Sequence, residues 1–306
     1  SIPELEEVLE EGRKKLFADR EKRVRPGRDE KILASWNGLM ISSFVDGFKV
    51  SGNEKYLNKA REAARFIPQE MRKDGHLMRV FNKGRCQVKG YSEDYAFFIQ
   101  ALLDLYEATF EIEWLKEADD LNRRMIYQFW DERNGGFFFT GKENEPLIAR
   151  SKNPYDHAIP SSNSVALFNL IRLGYLTGEE SLKQKAEQIL RLFYKFLSEH
   201  PAGFTHMLSG LSFFLDPEEI GIIGSKNDHR TKSMLQEIYR AYLPNKILSL
   251  KDPQEPIAGS WFPFLMEKGF TEVPTAFVCK GFTCLPPVRN EEELRKILNV
   301  TGVGPS

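Results

Sequence analysis

The sequence has few cysteines, no excess of charge of either sign and no long apolar run, and each lack excludes a class of protein. Three cysteines in 306 residues are too few for a disulfide framework, so we expect a reducing compartment and predict the cytoplasm. The 43 basic and 44 acidic residues give a formal net charge of -1, which offers no basic excess for nucleic acid. No stretch approaches the roughly 18 apolar residues of a membrane span, and the charged N-terminal region contains no secretory signal.

Three segments, 36–71, 91–130 and 160–197, share one helical pattern. In each, a helix that is apolar nearly all round comes before a helix with a single apolar stripe, and a short loop joins the two. YAFFIQALLDLY, which starts at Tyr95, is the clearest helix of the first kind. The alternation predicts buried inner helices and partly exposed outer helices in two concentric rings. The sequence therefore predicts a mainly α protein with the architecture of an α/α toroid.

Long loops lead from each outer helix to the next inner helix, at about 73–90 and 131–159. Both contain a segment that we predict to be a β-hairpin, namely HLMRVFNKGRCQVKG and GGFFFTGKENEPLIARS. These loops fall at the end of the toroid that holds the N-termini of the inner helices. Long structured loops often carry function, so this end is where we expect a site.

The pattern changes in the last third of the chain. Segments 219–224, 228–242 and 244–250 predict a strand, a helix and a strand in a parallel crossover unit, and 275–279 predicts a further strand. We therefore divide the chain into a partial toroid, 1–215, and a small α/β segment, 216–306. Cys279 and Cys284 are separated by four residues, which suits neither a redox pair nor a zinc site, while a disulfide across a tight loop stays open.

Polar motifs begin the three predicted inner helices. Repeat offsets align Asn37, Tyr95 and Asn163, and the neighbouring residues include Trp36 and His157. One interpretation is helix capping, in which short polar side chains bind the free N–H groups of the first turn. The other is a shared pocket, because the inner-helix N-termini of a toroid converge on one cavity.

The pocket interpretation assigns roles to named residues. Three could act as acid or base and would be the catalytic residues: Glu93, Asp94 and His157. Six could bind a hydroxylated or anionic ligand through flat aromatic faces, amides or a guanidinium: Trp36, Asn37, Tyr91, Tyr95, Asn163 and Arg28. Arg28 belongs to RVRPGRDEK, which reads equally well as a solvated charged linker. No cofactor and no metal ion is indicated.

Five motifs in order resemble one known family: RPGRDEKILASWNGLM, GYSEDYAFFIQALLDLYEA, PSSNSVALFNLIRLGYLTG, YLPNKILSL and PTAFVCKGFTCLPPV. The chain is similar to the C-terminal part of the spermatogenesis-associated, thioredoxin-domain-containing family. The resemblance implies a six-hairpin toroid similar to N-acylglucosamine 2-epimerases and glycosidases, of which this chain would hold about half. It also implies a preceding thioredoxin-like domain and a first toroid half. Since the chain begins at Ser1 rather than Met, we expect it to be part of a longer protein.

These observations leave three functions open. The first is a carbohydrate-type pocket that acts on a sugar or related polyhydroxy ligand by acid/base chemistry, like an epimerase, isomerase or glycosidase. The second is a non-catalytic binding or scaffold module attached to a thioredoxin-like redox domain. In the third, the polar motifs only cap helices. An incomplete ring exposes apolar inner-helix surface, so we also expect a homodimer, and no nucleic-acid or membrane partner.

Overall fold

The computed structural model describes residues 1–255, 261–281 and 283–301. Contacts divide the chain into two compact units, Ser1–Lys31 and Ile32–Ser306. The first unit holds α1 (Ile2–Arg20), a helix with no buried residue that begins at a capping box formed by Ser1 and Glu4. The division of the chain into 1–215 and 216–306 stays a prediction.

Seven helices of the second unit form an arc of hairpins. The inner helices are α2 (Ala34–Ser51), α4 (Ser92–Thr109), α6 (Ser162–Thr177) and α8 (Thr205–Leu215). The outer helices are α3 (Glu54–Glu70), α5 (Ile112–Phe129) and α7 (Glu180–Glu199). Each inner helix packs on the next one, and each outer helix packs on the inner helix before it. The predicted mainly α fold with the helix pairs of a partial α/α toroid is confirmed; α8 is a fourth inner helix that the repeat pattern did not include.

The sequence explains both the ends and the spacing of these helices. Gly52 and Gly178 adopt left-handed backbone, with φ of 67° and 74°, and end the inner helices α2 and α6. Phe110 ends α4 in the same conformation. Gly38 lets α2 approach α4 closely, because a Cβ at this position would lie 2.7 Å from the backbone of Phe97.

The first long loop forms the predicted β-hairpin. Its strands are β3 (His76–Asn82) and β4 (Arg85–Lys89), and β3 also pairs antiparallel with β1 (Ile32–Leu33) and β2 (Arg72–Lys73). Because β1 runs directly into α2, this pairing fixes the hairpin beside the start of an inner helix. The hairpin can therefore supply side chains to that end of the arc.

The prediction of a hairpin in the second long loop is wrong. Segment 135–151 forms no strand ladder: one isolated bridge joins Phe137 to Trp130, and Phe138 N donates to Phe129 O at 2.8 Å at the end of α5. Side chains bind the backbone here in place of a partner strand. The Asn163 amide accepts from Phe137 N at 2.8 Å and donates to Phe137 O at 3.0 Å, and Arg150 Nε donates to Thr140 O at 2.8 Å.

An ion pair at the start of this loop should make stability sensitive to acid. Lys152 Nζ lies 2.7 Å from Asp131 Oδ2, and this bond holds the Asp131 pKa well below its ordinary value of 3.8. A carboxyl group whose pKa is lowered in the folded state stabilises the protein above pH 3.8. This stabilisation is lost as the pH falls below 3.8 toward the lowered pKa. We expect Lys152→Met to lower the free energy of unfolding at pH 7 by about 1–2 kcal/mol.

The acid dependence provides the check. Denaturant titrations from pH 7 to pH 3 should show a smaller decline for Lys152→Met than for the parent protein. Lys195→Met, which removes a lysine that is 80% exposed, is the matched control and should behave like the parent. Identical acid profiles for all three proteins would contradict the assigned role of the ion pair.

The C-terminal part forms a second sheet that packs on the inner helices. Its strands are β5 (Glu218–Ile223), β6 (Lys246–Lys251), β7 (Thr275–Lys280) and β8 (Thr283–Cys284), and its helices are α9 (His229–Arg240), α10 (Pro263–Met266) and α11 (Glu291–Thr301). The predicted parallel unit is present as β5, α9 and β6, and β7 pairs antiparallel with β5. The Phe262 ring stacks on Tyr106 of α4 with 5.7 Å between ring centroids, which joins the sheet to the arc.

The structure also answers two questions that the sequence raised. Cys279 and Cys284 are cross-strand neighbours in β7 and β8 and form a disulfide. The spacing had left that bond open. In the part of the chain that the structure describes, no helix is both long and apolar enough to cross a membrane.

Candidate functional site

Polar contacts tie the N-termini of the four inner helices together at one end of the arc. Asp94 Oδ1 accepts from Ser35 N at 3.1 Å, which links α4 to α2. Ser92 Oγ donates to Ser162 Oγ at 2.8 Å, which links α4 to α6. Asp156, in the loop before α6, accepts from His206 N at 2.9 Å at the start of α8. The inner-helix starts therefore share one polar end, as the repeat pattern predicted.

The centre of this end is an ion-pair cluster that includes a residue not found from the sequence. Arg79 Nη1 donates to Glu93 Oε1 at 2.7 Å and to Asp94 Oδ2 at 2.9 Å, and its guanidinium lies 5.0 Å from the Tyr91 ring centroid. Arg79 reaches the carboxylates from β3, the strand that pairs with β1 beside the start of α2. The sequence signal would have been a basic residue in a hairpin that leads directly to two adjacent acids.

Asp94 is fully buried, and all its contacts hold the protein together. It accepts from Ser35 N at 3.1 Å, from Tyr91 N at 2.9 Å and from Arg79. Burial raises the pKa of Asp94, and the charge of Arg79 and the N–H of Tyr91 oppose that rise. Asp94 thus fixes the starts of α2 and α4 and has no surface open to a ligand.

Glu93 and Trp36 are the solvent-accessible residues among those at the N-terminal end of the inner helices. The Glu93 side chain is 19% exposed, and Trp36 is 63% exposed. Trp36 follows Ser35, the residue that Asp94 binds, so Trp36 and Glu93 stand on adjoining helix starts. Tyr91 is half-buried, with its ring 4.9 Å from that of Phe139. We call the surface formed by Trp36, Arg79, Tyr91 and Glu93 the inner-helix site.

Three residues that the repeat offsets had aligned bind backbone groups instead of lining this surface. Asn37 Nδ2 donates to Leu33 O at 2.8 Å within its own helix start. The hydroxyl of Tyr95, a residue 2% exposed, accepts from Leu77 N at 3.1 Å. Asn163 is fully buried against Phe137. The structure gives all three a part in holding loops onto inner helices.

His157 is not part of the ion-pair cluster, and Arg28 belongs to the first compact unit. His157 is exposed, and its ring stacks on that of Tyr155 with 5.8 Å between centroids. No hydrogen bond or ion pair joins it to Glu93 within the described ranges. Arg28 lies in the first unit, is exposed, and forms two hydrogen bonds with Glu30 at 2.6 and 2.7 Å.

The chemistry available at the inner-helix site follows from these contacts. Glu93 and Arg79 present an acceptor and a donor side by side, an arrangement that suits adjacent hydroxyl groups. The Trp36 ring offers a flat apolar face. Glu93 is the single carboxylate at this surface with solvent access, so the site holds one group for proton transfer. The described residues contain no group of three or more side chains able to hold a metal ion.

Comparison with known proteins finds relatives by sequence, although no family model matches. The chain is 34% identical to human spermatogenesis-associated protein 20 over 306 residues, which is 95% of this chain and 39% of the relative. An uncharacterized protein of Caenorhabditis elegans is 28% identical over 98% of this chain and 42% of its own length. The chain thus spans about two-fifths of the length of the curated relatives that it matches.

Two solved structures of enzymes that act on sugars have a similar course of the chain. Cellobiose 2-epimerase from Bacillus thermoamylovorans has a TM-score of 0.47 at 20% identity, covering 56% of this chain and 46% of its own. A family 76 glycoside hydrolase, a mannosidase from Bacteroides thetaiotaomicron, has a TM-score of 0.47 at 15% identity, covering 89% and 71%.

Proposed function

The chain is a homologue of part of spermatogenesis-associated protein 20, and we propose that it binds a sugar or a related polyhydroxy compound at the inner-helix site. The observation that carries this proposal is the exposed Trp36 ring on the helix start that adjoins the Arg79–Glu93 ion pair. A sugar ring has an apolar face and a rim of hydroxyl groups. The site offers one kind of surface for each.

The polar half of the site is already in place before a ligand arrives. The Arg79 guanidinium is held by Asp94, which is buried and itself fixed by two backbone N–H groups. Glu93 in turn is oriented by Arg79. A ligand hydroxyl pair would therefore meet a donor and an acceptor that lose little side-chain freedom on binding, which favours affinity.

We assign proton transfer, if the bound compound reacts, to Glu93. It is the predicted acid/base residue with solvent access on the helix start that adjoins that of Trp36, whereas Asp94 is buried and His157 lies outside the cluster. A mechanism with two proton-transfer groups on opposite ligand faces would need a second group from outside the described residues. The site by itself supports binding with one acid or base.

The test uses saturation-transfer NMR with four probes: glucose, mannose, N-acetylglucosamine and cellobiose. We expect at least one probe to bind, and Glu93→Gln to weaken it about tenfold, since hydrogen bonds to a charged group contribute about 1.5–3 kcal/mol. Trp36→Ala should weaken the same probe and leave the fold intact, because the ring is 63% exposed. Glu113→Gln and Tyr194→Ala replace an exposed acid and an exposed aromatic ring elsewhere and serve as controls.

The outcome separates binding from catalysis. Turnover would be supported if deuterium from the solvent enters a ring carbon of the bound sugar and if this exchange disappears in Glu93→Gln. Binding without exchange or hydrolysis would support a non-catalytic module. If no probe binds, or if the two site variants bind as well as the two controls, the inner-helix site is not a sugar site.

A second candidate function is a module that serves a thioredoxin-like redox domain. The observation that favours it is the Cys279–Cys284 disulfide, in which Cys284 is exposed. A dithiol reductant would exchange with that bond through an intermediate mixed disulfide, leaving two thiols here and a disulfide on the reductant. Mass spectrometry after thiol alkylation at graded ratios of reduced to oxidised dithiothreitol checks this, and a bond that never reduces in the folded protein would contradict it.

A further inference from the structure

A cavity opens at the C-terminal end of the inner helices α2 and α4, away from the inner-helix site. It lies between the C-terminal ends of α2 and α4, the start of α3, and α9 of the α/β segment, and we call it the α9 cleft. Its volume is about 510 Å³, within the usual range for a small-molecule site. Its lining includes Phe110, Leu235 and Tyr239, so the cleft has an apolar part as well as a polar one. None of the predicted site residues lines it.

The lining of the α9 cleft carries a clear excess of positive charge. Five basic side chains line it, namely Lys49, Arg61, Lys226, Lys232 and Arg240. Two acidic side chains, Glu54 and Glu111, face them. The whole chain has a formal net charge of -1, so this concentration of basic residues is local. Such a cleft attracts anions and focuses their approach.

Existing ion pairs account for four of these cations. Lys49 pairs with Glu107 and Arg61 Nη2 with Glu111. Lys226 and Arg240 pair with carboxylates that do not line the cleft, Glu255 and Glu237 respectively. These pairs fix where the cations stand.

Donor capacity remains for a ligand. Lys232 is exposed and forms no ion pair within the described ranges. The buried Nε–H of Arg61 has no acceptor. A buried guanidinium N–H without a partner is costly, and a bound anion would satisfy it.

From this we propose that the α9 cleft binds a phosphorylated small molecule, with its phosphate group held by Lys232 and Arg61. A phosphate group accepts both the charge of a lysine and the directed N–H bonds of a guanidinium. The cleft is larger than a phosphate ion needs, and its aromatic and aliphatic lining gives the organic part of the ligand a place. The proposal is independent of the sugar site, because the two share no residue.

The experiment measures binding by isothermal titration calorimetry at low salt, with glucose 6-phosphate, inorganic phosphate and glucose as probes. We expect saturable binding of glucose 6-phosphate that weakens as salt rises, since screening reduces charge attraction. Lys232→Ala should weaken it about fivefold to tenfold, the usual effect of one lost charge-assisted contact. Lys195→Ala, which removes an exposed lysine on α7 outside the cleft, is the matched control.

Further arms separate this cleft from the inner-helix site and identify the part of the ligand that matters. The titrations are therefore repeated in a Trp36→Ala background, in which the sugar contact of the inner-helix site is lost and the binding that remains belongs to the cleft. If inorganic phosphate binds as tightly as glucose 6-phosphate, the phosphate contact is supported, but the proposal that the apolar lining binds the organic part of the ligand is overturned. If glucose 6-phosphate does not bind at all, or binds equally to Lys232→Ala and Lys195→Ala, the proposal is overturned whatever the result at the inner-helix site.

Discussion

Replacing Arg172 by methionine is expected to lower the free energy of unfolding by about 3–5 kcal/mol, because it removes the cation that Asp104 and the buried Glu107 share. The Arg172 side chain on α6 is 9% exposed, and its Nη1 lies 2.7 Å from Asp104 Oδ1. Its Nη2 lies 3.0 Å from Glu107 Oε1, on a side chain that is 5% exposed. Burial opposes the charge of Arg172, but the two carboxylates outweigh burial and raise its pKa.

The cluster around Arg172 also joins the helical arc to the C-terminal sheet, which is why the expected loss is large. Glu107 pairs with Lys49 of α2, and Tyr239 of α9 donates its hydroxyl proton to Glu107 O at 2.8 Å. Burial by itself would raise the pKa of Glu107, but the charges of Arg172 and Lys49 outweigh burial and hold that pKa below its ordinary value, so the carboxylate stays charged. Without Arg172, the charge on Glu107 is left to Lys49.

Urea denaturation followed by circular dichroism measures the effect. Arg191→Met is the matched control, since Arg191 is 77% exposed and pairs only across one turn of α7 with Glu187. It should unfold within about 0.5 kcal/mol of the parent. Equal stability of the Arg172 and Arg191 variants would show that the buried cluster contributes nothing to the contact between arc and sheet.

Part of this cluster was visible in the sequence. YAFFIQALLDLY was predicted to be an inner helix that is apolar nearly all round, yet it carries Asp104 and is followed directly by Glu107, and the inner-helix segment SVALFNLIRLGYL carries Arg172. Charged residues on such helices require partners, because an unpaired buried charge is strongly disfavoured. Periodicity shows that a pairing must exist, but which helix supplies each partner depends on the rotation of one helix against the next.

The elements that could be predicted are those in which local sequence and burial agree. The helix pairs, the β5–α9–β6 unit and the hairpin 76–89 each have a period or a turn that specifies them. Segment 135–151 has the aromatic residues of a strand, but Asn163 binds both backbone groups of Phe137. Such a tertiary contact replaces a strand partner and leaves no trace in a local pattern.

The convergence of inner-helix starts was predictable from the repeat, whereas the use of these residues as a site stays a prediction. Asp94 binds Ser35 at the start of α2, and Arg79 binds both Glu93 and Asp94. Arg79 was missed although it lies only 14 residues before Glu93, because the hairpin pattern does not show which of its basic side chains turns back toward the start of α4. Alignment of the motifs could not separate Glu93 from Asp94, since the two adjacent side chains differ only in which face of the helix start they occupy.

Asp94→Ala is the change that separates the structural carboxylate from the ligand-binding one. We expect it to lower the free energy of unfolding by about 2–4 kcal/mol, because lost capping contacts cost about 0.5–2 kcal/mol each. The substitution removes the acceptor of Ser35 N at 3.1 Å and of Tyr91 N at 2.9 Å, at the first turns of α2 and α4. It also leaves the Arg79 guanidinium with Glu93 as its remaining acid.

Glu93→Gln is the matched partner in this comparison, because the two carboxylates share Arg79 but differ in burial. Its thermal and urea transitions should lie close to those of the parent, while sugar binding is weakened. Asp94→Asn should recover part of the stability that Asp94→Ala loses, since its amide oxygen can accept one of the two N–H groups. If Asp94→Ala unfolds like the parent protein, the inner-helix starts are held by other contacts, and the structural role given to Asp94 is overturned.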